Sequence, residues 1–170
     1  MISYLKYIFL FISVLILQFL FLNNLILFDT AFCFIYIAFI LLLPIETSPL
    51  LLLFLGFIIG FSVDIFSDTL GMNAAASVLI AFLRPYILKL LTPRSGYELN
   101  FQFTIYKTGV VWYASYAATL IFIHLLFLFI LDGSDTALLP SAFLKAILST
   151  IFTVIVFIIG SYLFQSSKSK

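Results

Sequence analysis

Long apolar stretches of about twenty residues, cut by short polar or turn-forming breaks, constrain this chain more than any single motif does. Roughly 17 to 25 apolar residues cross the hydrocarbon core of a bilayer, about 30 Å thick, and six such windows fit, at about 4–22, 25–43, 50–66, 73–91, 108–131 and 142–164. The breaks are Asn23-Asn24, the run from Pro44 to Pro49, Ser67-Asp68-Thr69-Leu70-Gly71, Thr92-Pro93-Arg94-Ser95-Gly96 and Asp132-Gly133-Ser134-Asp135. Ser48 can cap the third helix with Pro49 in its first position. The first window holds Lys6 ahead of an apolar run about twice as long as a signal-peptide core, and no small-x-small cleavage site follows it, so it reads as a retained helix.

Composition agrees with that pattern. Hydrophobic residues make up 65% of the chain and charged residues 9%, against roughly 45 to 50% apolar in soluble domains. The expected fold is an all-α integral membrane protein, a single membrane domain over 1–170, with no room for a separate soluble domain. A net charge of +1 gives no basic field for nucleic acid. Cys33, the single cysteine, lies in an apolar segment and reads as a small buried hydrophobe.

Lys and Arg positions set the orientation. With the amino terminus inside, Lys6, Arg84, Lys89, Arg94, Lys107, Lys168 and Lys170 all fall on the inner side and only Lys145 flanks an outer loop, while Asp68, Asp132 and Asp135 lie outside. Both termini are therefore expected to be cytoplasmic, as is the connection 92–107.

Gly56, Gly60 and Asp64 follow one another at four-residue spacing in the third span and share a helix face. Two glycines allow close approach of another helix, and a carboxylate near lipid faces protein or water. Asp64 either anchors the turn at Gly71, Met72 and Asn73 or makes a functional contact. Asn73, Ser77 and Ala81 form a small, mildly polar stripe on the fourth span, and Ala114 and Ala118 a similar one on the fifth. These are candidate helix interfaces or partner-binding faces. By helical depth Arg84 lies too far from Asp64 for a direct pair, so its stem is expected to reach for the interface beside Lys89. His124 has no metal-ligating companion at a suitable spacing on its segment and reads as an interhelical hydrogen bonder. Trp112 and Tyr113 mark the membrane interface.

In 97–106, Tyr97, Leu99, Phe101 and Phe103 alternate with polar residues, which favours an extended segment lying on the membrane surface or adding to a cytoplasmic partner. There is no phosphate-cradling glycine loop, no His-Glu metal motif and no Ser-His-Asp set with a local signature, so neither an enzyme nor a cofactor is expected.

The stretch 44–98 resembles the MreD family, small rod shape-determining membrane proteins of bacteria. The residues that carry the resemblance are Gly56, Gly60 and Asp64, then Leu70-Gly71 and the Ala-rich Asn73 to Ser77. It implies a non-enzymatic scaffold in the bacterial cytoplasmic membrane, contacting lipid and an MreC-like membrane protein. Through that partner it would act on the transpeptidase and glycosyltransferase of lateral peptidoglycan synthesis, with an MreB-like filament as a cytoplasmic contact. The family is similar in fold to the substrate-binding subunits of energy-coupling-factor vitamin transporters, which supply the alternative reading. Such a subunit needs a cavity with several polar groups and is expected to carry Ala-x-x-x-Ala in its first helix, whereas 4–22 holds no alanine.

Overall fold

The computed structural model describes residues 2–22, 25–27, 30–91, 105–133 and 139–166. The chain folds as a bundle of apolar helices. Helix α1 (Ile2–Leu17) widens into a π-helical end, Gln18–Leu22. Two short antiparallel strands follow, β1 (Ile26–Leu27) and β2 (Ala31–Phe32), with Ile26 opposite Phe32. A 3-10 turn, Ile35–Ile37, leads into the five-residue α2 (Ala38–Leu42). Then come α3 (Pro49–Ser67), α4 (Met72–Leu91), the short α5 (Ile105–Thr108), α6 (Val110–Asp132) and α7 (Leu139–Ser166). Among the described residues five helices are long and apolar enough to cross a membrane.

The expected second span, 25–43, is thus corrected: it is not one helix. Thr30 lies in a turn between β1 and β2, and Phe32, Phe34, Ile35, Tyr36 and Ile37 are aromatic or β-branched, types with lower helix preference. Hydropathy reads whether a segment is at home in lipid, and this one is, but it does not read the conformation.

The segment nevertheless carries the chain back across the bundle. Gln18 bonds to Cys33 and Tyr36, and further along the same leg Phe39 meets Phe11, with ring centres 5.2 Å apart. The leg 31–43 therefore runs antiparallel to α1. It also runs alongside α4, from Tyr36 at Asn73 to Leu43 and Pro44 at Arg84, eleven helical residues or about 16 Å. Helix α3 then retraces the direction of α1, since the tilted rings of Phe66 and Phe19 meet with centres 4.6 Å apart. Helix α6 opposes α4, with Trp112 Nε1 donating to Leu91 O at 2.9 Å. Helix α7 opposes α6, with Tyr113 and Ser161 hydroxyls 2.8 Å apart. The start of α1 and the end of α7 consequently lie at one end of the bundle. Exposed Lys6, Lys89 and Lys107 belong to that end, and exposed Asp68 and Asp132 to the other.

Non-helical backbone is tolerated at membrane depth only where protein satisfies it. Gln18 Nε2 donates to Cys33 O at 3.0 Å and Gln18 Oε1 accepts from Tyr36 N at 3.4 Å. Phe32 N donates to Ser149 Oγ at 2.9 Å and Phe34 N to Thr153 Oγ1 at 3.2 Å. The leg is also the centre of the core, with Tyr36, Ile37 and Ile40 fully buried.

Candidate functional site

Asp64, Asn73 and Ser77 gather along the α3–α4 seam, and Tyr36 continues it to His124 on α6. The seam begins with two glycines that admit no side chain. A Cβ on Gly60 would stand 2.5 Å from Asn73 O and 2.6 Å from Ala74 Cα, and one on Gly56 would stand 2.9 Å from Ala81 Cβ and 3.1 Å from Ser77 O. Gly56 and Gly60 thus face Asn73, Ser77 and Ala81, and the two stripes pack on each other. Both are buried, so they form an interface within the chain and offer no open face to a partner at those positions.

Asp64 closes the seam by joining two helix ends. Its backbone oxygen accepts from the amides of Asp68, the αL residue that caps α3, and of Thr69 at 3.1 Å. Its carboxylate accepts from Asn73 N at 3.0 Å, Ala74 N at 2.8 Å, Asn73 Nδ2 at 3.0 Å and Thr69 Oγ1 at 2.5 Å. The Asn73 and Ala74 amides lie in the first turn of α4, where a cap side chain ordinarily binds. Gly71, with φ +84°, occupies the capping position and has no side chain to offer, so Asp64 reaches over from the preceding helix. A buried carboxylate is stabilised there by four donors and by the positive end of the α4 dipole.

Asn73 extends the chain inward. Its amide nitrogen also donates to Thr69 Oγ1 at 2.9 Å, and its Oδ1 accepts from Tyr36 OH at 2.8 Å. Tyr36 OH stands 2.7 Å from His124 Nε2. Asn73, Tyr36 and His124 thus form one buried hydrogen-bonded chain from α4 through the leg to α6. Ser77 Oγ and His124 Nδ1 are buried beside this chain without a close hydrogen bond, the hydroxyl near Tyr36 and the imidazole near the Ala76 backbone.

Arg84 departs from the sequence expectation. Instead of reaching outward beside Lys89 it is buried, 1% exposed. Its Nε donates to Tyr116 OH at 2.9 Å, one terminal nitrogen donates to Pro44 O at 3.2 Å, and the other donates to Leu43 O. Tyr116 OH also donates to Leu41 O at 3.3 Å. The end of α2 offers unpaired carbonyls, as every helix end does, and the guanidinium fork takes two of the carbonyls that follow it.

Trp112 and Tyr113 bind Leu91 and Ser161 as helix-packing residues, and Cys33 is buried. Tyr97, Leu99, Phe101 and Phe103 lie outside the described residues. Tyr36, Gln18, Tyr116, Ser149 and Thr153 were not singled out by sequence reasoning. Their one signal was polarity inside an apolar window, with Ser149 and Thr153 one turn apart on the same face. Among the described residues no three His, Cys, Asp or Glu side chains gather to hold a metal.

The fold and this buried network define an all-α, multi-pass integral membrane protein whose described polar side chains bind mainly to its own backbone and to one another. No family model, curated protein or solved structure matches the chain.

Proposed function

We propose that the protein is a non-enzymatic membrane scaffold of the bacterial cell-elongation machinery, seated in the cytoplasmic membrane and binding an MreC-like partner to act on lateral peptidoglycan synthesis. The observation that carries this reading is the α3–α4 hairpin. Of the residues on which the resemblance to MreD rests, Gly56, Gly60, Asp64, Gly71, Asn73, Ala74 and Ser77 serve one construction there, a close glycine contact closed by a capping carboxylate, while Leu70 and Ala75 are exposed. A rigid hairpin suits a protein that must present a fixed outer surface to a helix in the bilayer. The lysine-bearing end fits a cytoplasmic placement of both termini, by the positive-inside rule.

The test is mild-detergent purification of the tagged protein from its own membranes, with mass spectrometry of what accompanies it. An MreC-like protein together with the transpeptidase and glycosyltransferase of wall elongation is the expected result. Transporter ATPases with a coupling subunit, or a bound vitamin, would overturn it in favour of a substrate-capture subunit. Gly60→Leu should reduce recovery of the partner complex more than Leu51→Ile, because Leu51 is exposed toward lipid. Equal recovery with both variants would separate the hairpin from partner binding.

A further inference from the structure

The close contact between α3 and α4 does not run the whole length of the hairpin. It begins where Asp64 takes the Asn73 and Ala74 amides, passes Gly60 against Asn73 and Ala74, and reaches Gly56 against Ala81. One helical turn beyond Ala81, at Pro85, space opens between the two helices. Two cavities lie there and share Pro85 as a wall. One, of about 220 Å³, is bounded by Ile45, Thr47, Leu52 and Leu88 among others. The other, of about 110 Å³, is bounded by Pro49, Leu53, Phe82 and Tyr86 among others. Packed protein ordinarily leaves few voids larger than a water molecule.

The space coincides with a break in the hydrogen bonding of α4. Pro85 lies inside the helix, where it withholds an N–H from the carbonyl of Ala81 and its ring crowds that carbonyl. Proline is a usual site of helix bending. The stretch before the break is fastened, since Arg84 donates to Tyr116, Leu43 and Pro44. The stretch after it, 86–91, is six residues and about 9 Å long. Tyr86 and Leu90 are exposed on it, Leu88 is buried, and Leu91 O accepts from Trp112 Nε1 at 2.9 Å.

We propose that the end of α4 is a hinged lever: 86–91 turns at Pro85 toward the start of α3 and closes the two cavities, while the part from Gly56 to Asp64 stays clamped on α4. The structure holds the open position, with the lever tied to Trp112. A change in bend of about 20° over a lever of about 9 Å moves its tip by about 3 Å. Closing brings Leu88 onto Leu52, so the buried apolar side chain stays covered throughout. Tyr86, Lys89 and Leu90 travel with the lever. The lysine-bearing end of the hairpin therefore has two shapes and the Asp64 end has one. The device needs the α3–α4 hairpin alone and does not depend on the scaffold reading.

The full chain, with Cys33→Ala as the background, is spin-labelled in lipid nanodiscs at two pairs of exposed positions, and distances are read by double electron–electron resonance. Leu50→Cys with Leu90→Cys reports the lever, and Ile65→Cys with Ala75→Cys reports the clamped end. Two components about 3 Å apart are expected for the first pair, and one for the second. Pro85→Ala, which returns the N–H to the Ala81 carbonyl, should leave the first pair with one component. Leu52→Phe, which places a larger side chain in the larger cavity, should remove the shorter component and keep the longer. A single component at both pairs in the parent would overturn the proposal, as would two components at both, which would mean that the hairpin moves as a whole. Two components that persist in Pro85→Ala and in Leu52→Phe would overturn it as well, by placing the motion elsewhere than at the proline.

Discussion

Single atoms decide the character of this seam. Asp64→Asn keeps the shape but turns one carboxylate oxygen into an N–H₂ that must face a donor, Ala74 N or the Asn73 and Thr69 cluster. A loss of about 1 to 3 kcal/mol is expected, read as a lower Tm in detergent. Tyr36→Phe deprives both Asn73 Oδ1 and His124 Nε2 of their phenol partner in the core and should lower Tm by a similar amount. Ser77→Ala, which deletes a buried hydroxyl set near Tyr36 without a close hydrogen bond, should lower Tm by less than Tyr36→Phe. A drop for Ser77→Ala as large as that for Tyr36→Phe would contradict the network as drawn. Gly60→Ala meets backbone at 2.5 Å and should be disruptive, by about 1 to 3 kcal/mol or more. Gly160→Ala, with nothing within 4 Å of the new methyl group, should be neutral or gain up to about 1 kcal/mol. At this scale the sequence showed the Gly56, Gly60, Asp64 face and the turn, because capping and close approach are local patterns within a few helical turns. It could not show Tyr36 beside His124, which lies 88 positions away, nor that Arg84 turns inward, since a basic residue near a helix end reads the same whether it snorkels or fastens a neighbour.

For whole elements, apolar length sufficed for the five long helices and misled at 25–43. That window is apolar enough to cross the membrane, and period alone cannot distinguish a buried helix from buried extended chain. Its conformation depends on side chains from two other helices, Gln18 of the first and Ser149 and Thr153 of the last. Gln18→Leu should therefore expose the leg more than any apolar exchange of similar size. Cys33 O and Tyr36 N lose their partner, each at about 1 to 3 kcal/mol. Hydrogen exchange at Cys33 to Ile37 should accelerate while the amides of α3 stay protected. Uniform acceleration across the bundle would instead mean that the leg and α3 open together.

For the molecule as a whole, the broken leg runs antiparallel to α1 and returns the chain to the end of the bundle where it began, although it is not a membrane-length helix. In sealed vesicles, with Cys33→Ala as the background, an impermeant maleimide should label Lys6→Cys and Lys107→Cys from the same side, and Asp68→Cys and Asp132→Cys from the other. Labelling of Lys6→Cys and Lys107→Cys from opposite sides would show that the leg does not return the chain across the bilayer. Lys6, Lys89 and Lys107 share one end of the bundle, and the labelling tests whether that end meets a single side of the membrane, as the charge rule expects.

Synthesis proceeds from the amino terminus, and the bonds that complete the second pass come from residues more than a hundred positions downstream. The α3–α4 hairpin, whose capping bonds span ten residues at most, can set as soon as it leaves the ribosome and enters the membrane. The pass before it cannot. Until the final helix arrives with Ser149 and Thr153, the amides of Phe32 and Phe34 lack the side-chain acceptors that hold them in the folded chain. The order of birth and the order of completion are therefore reversed, and a nascent chain stopped before residue 149 would hold an unfinished crossing for membrane quality control to recognise.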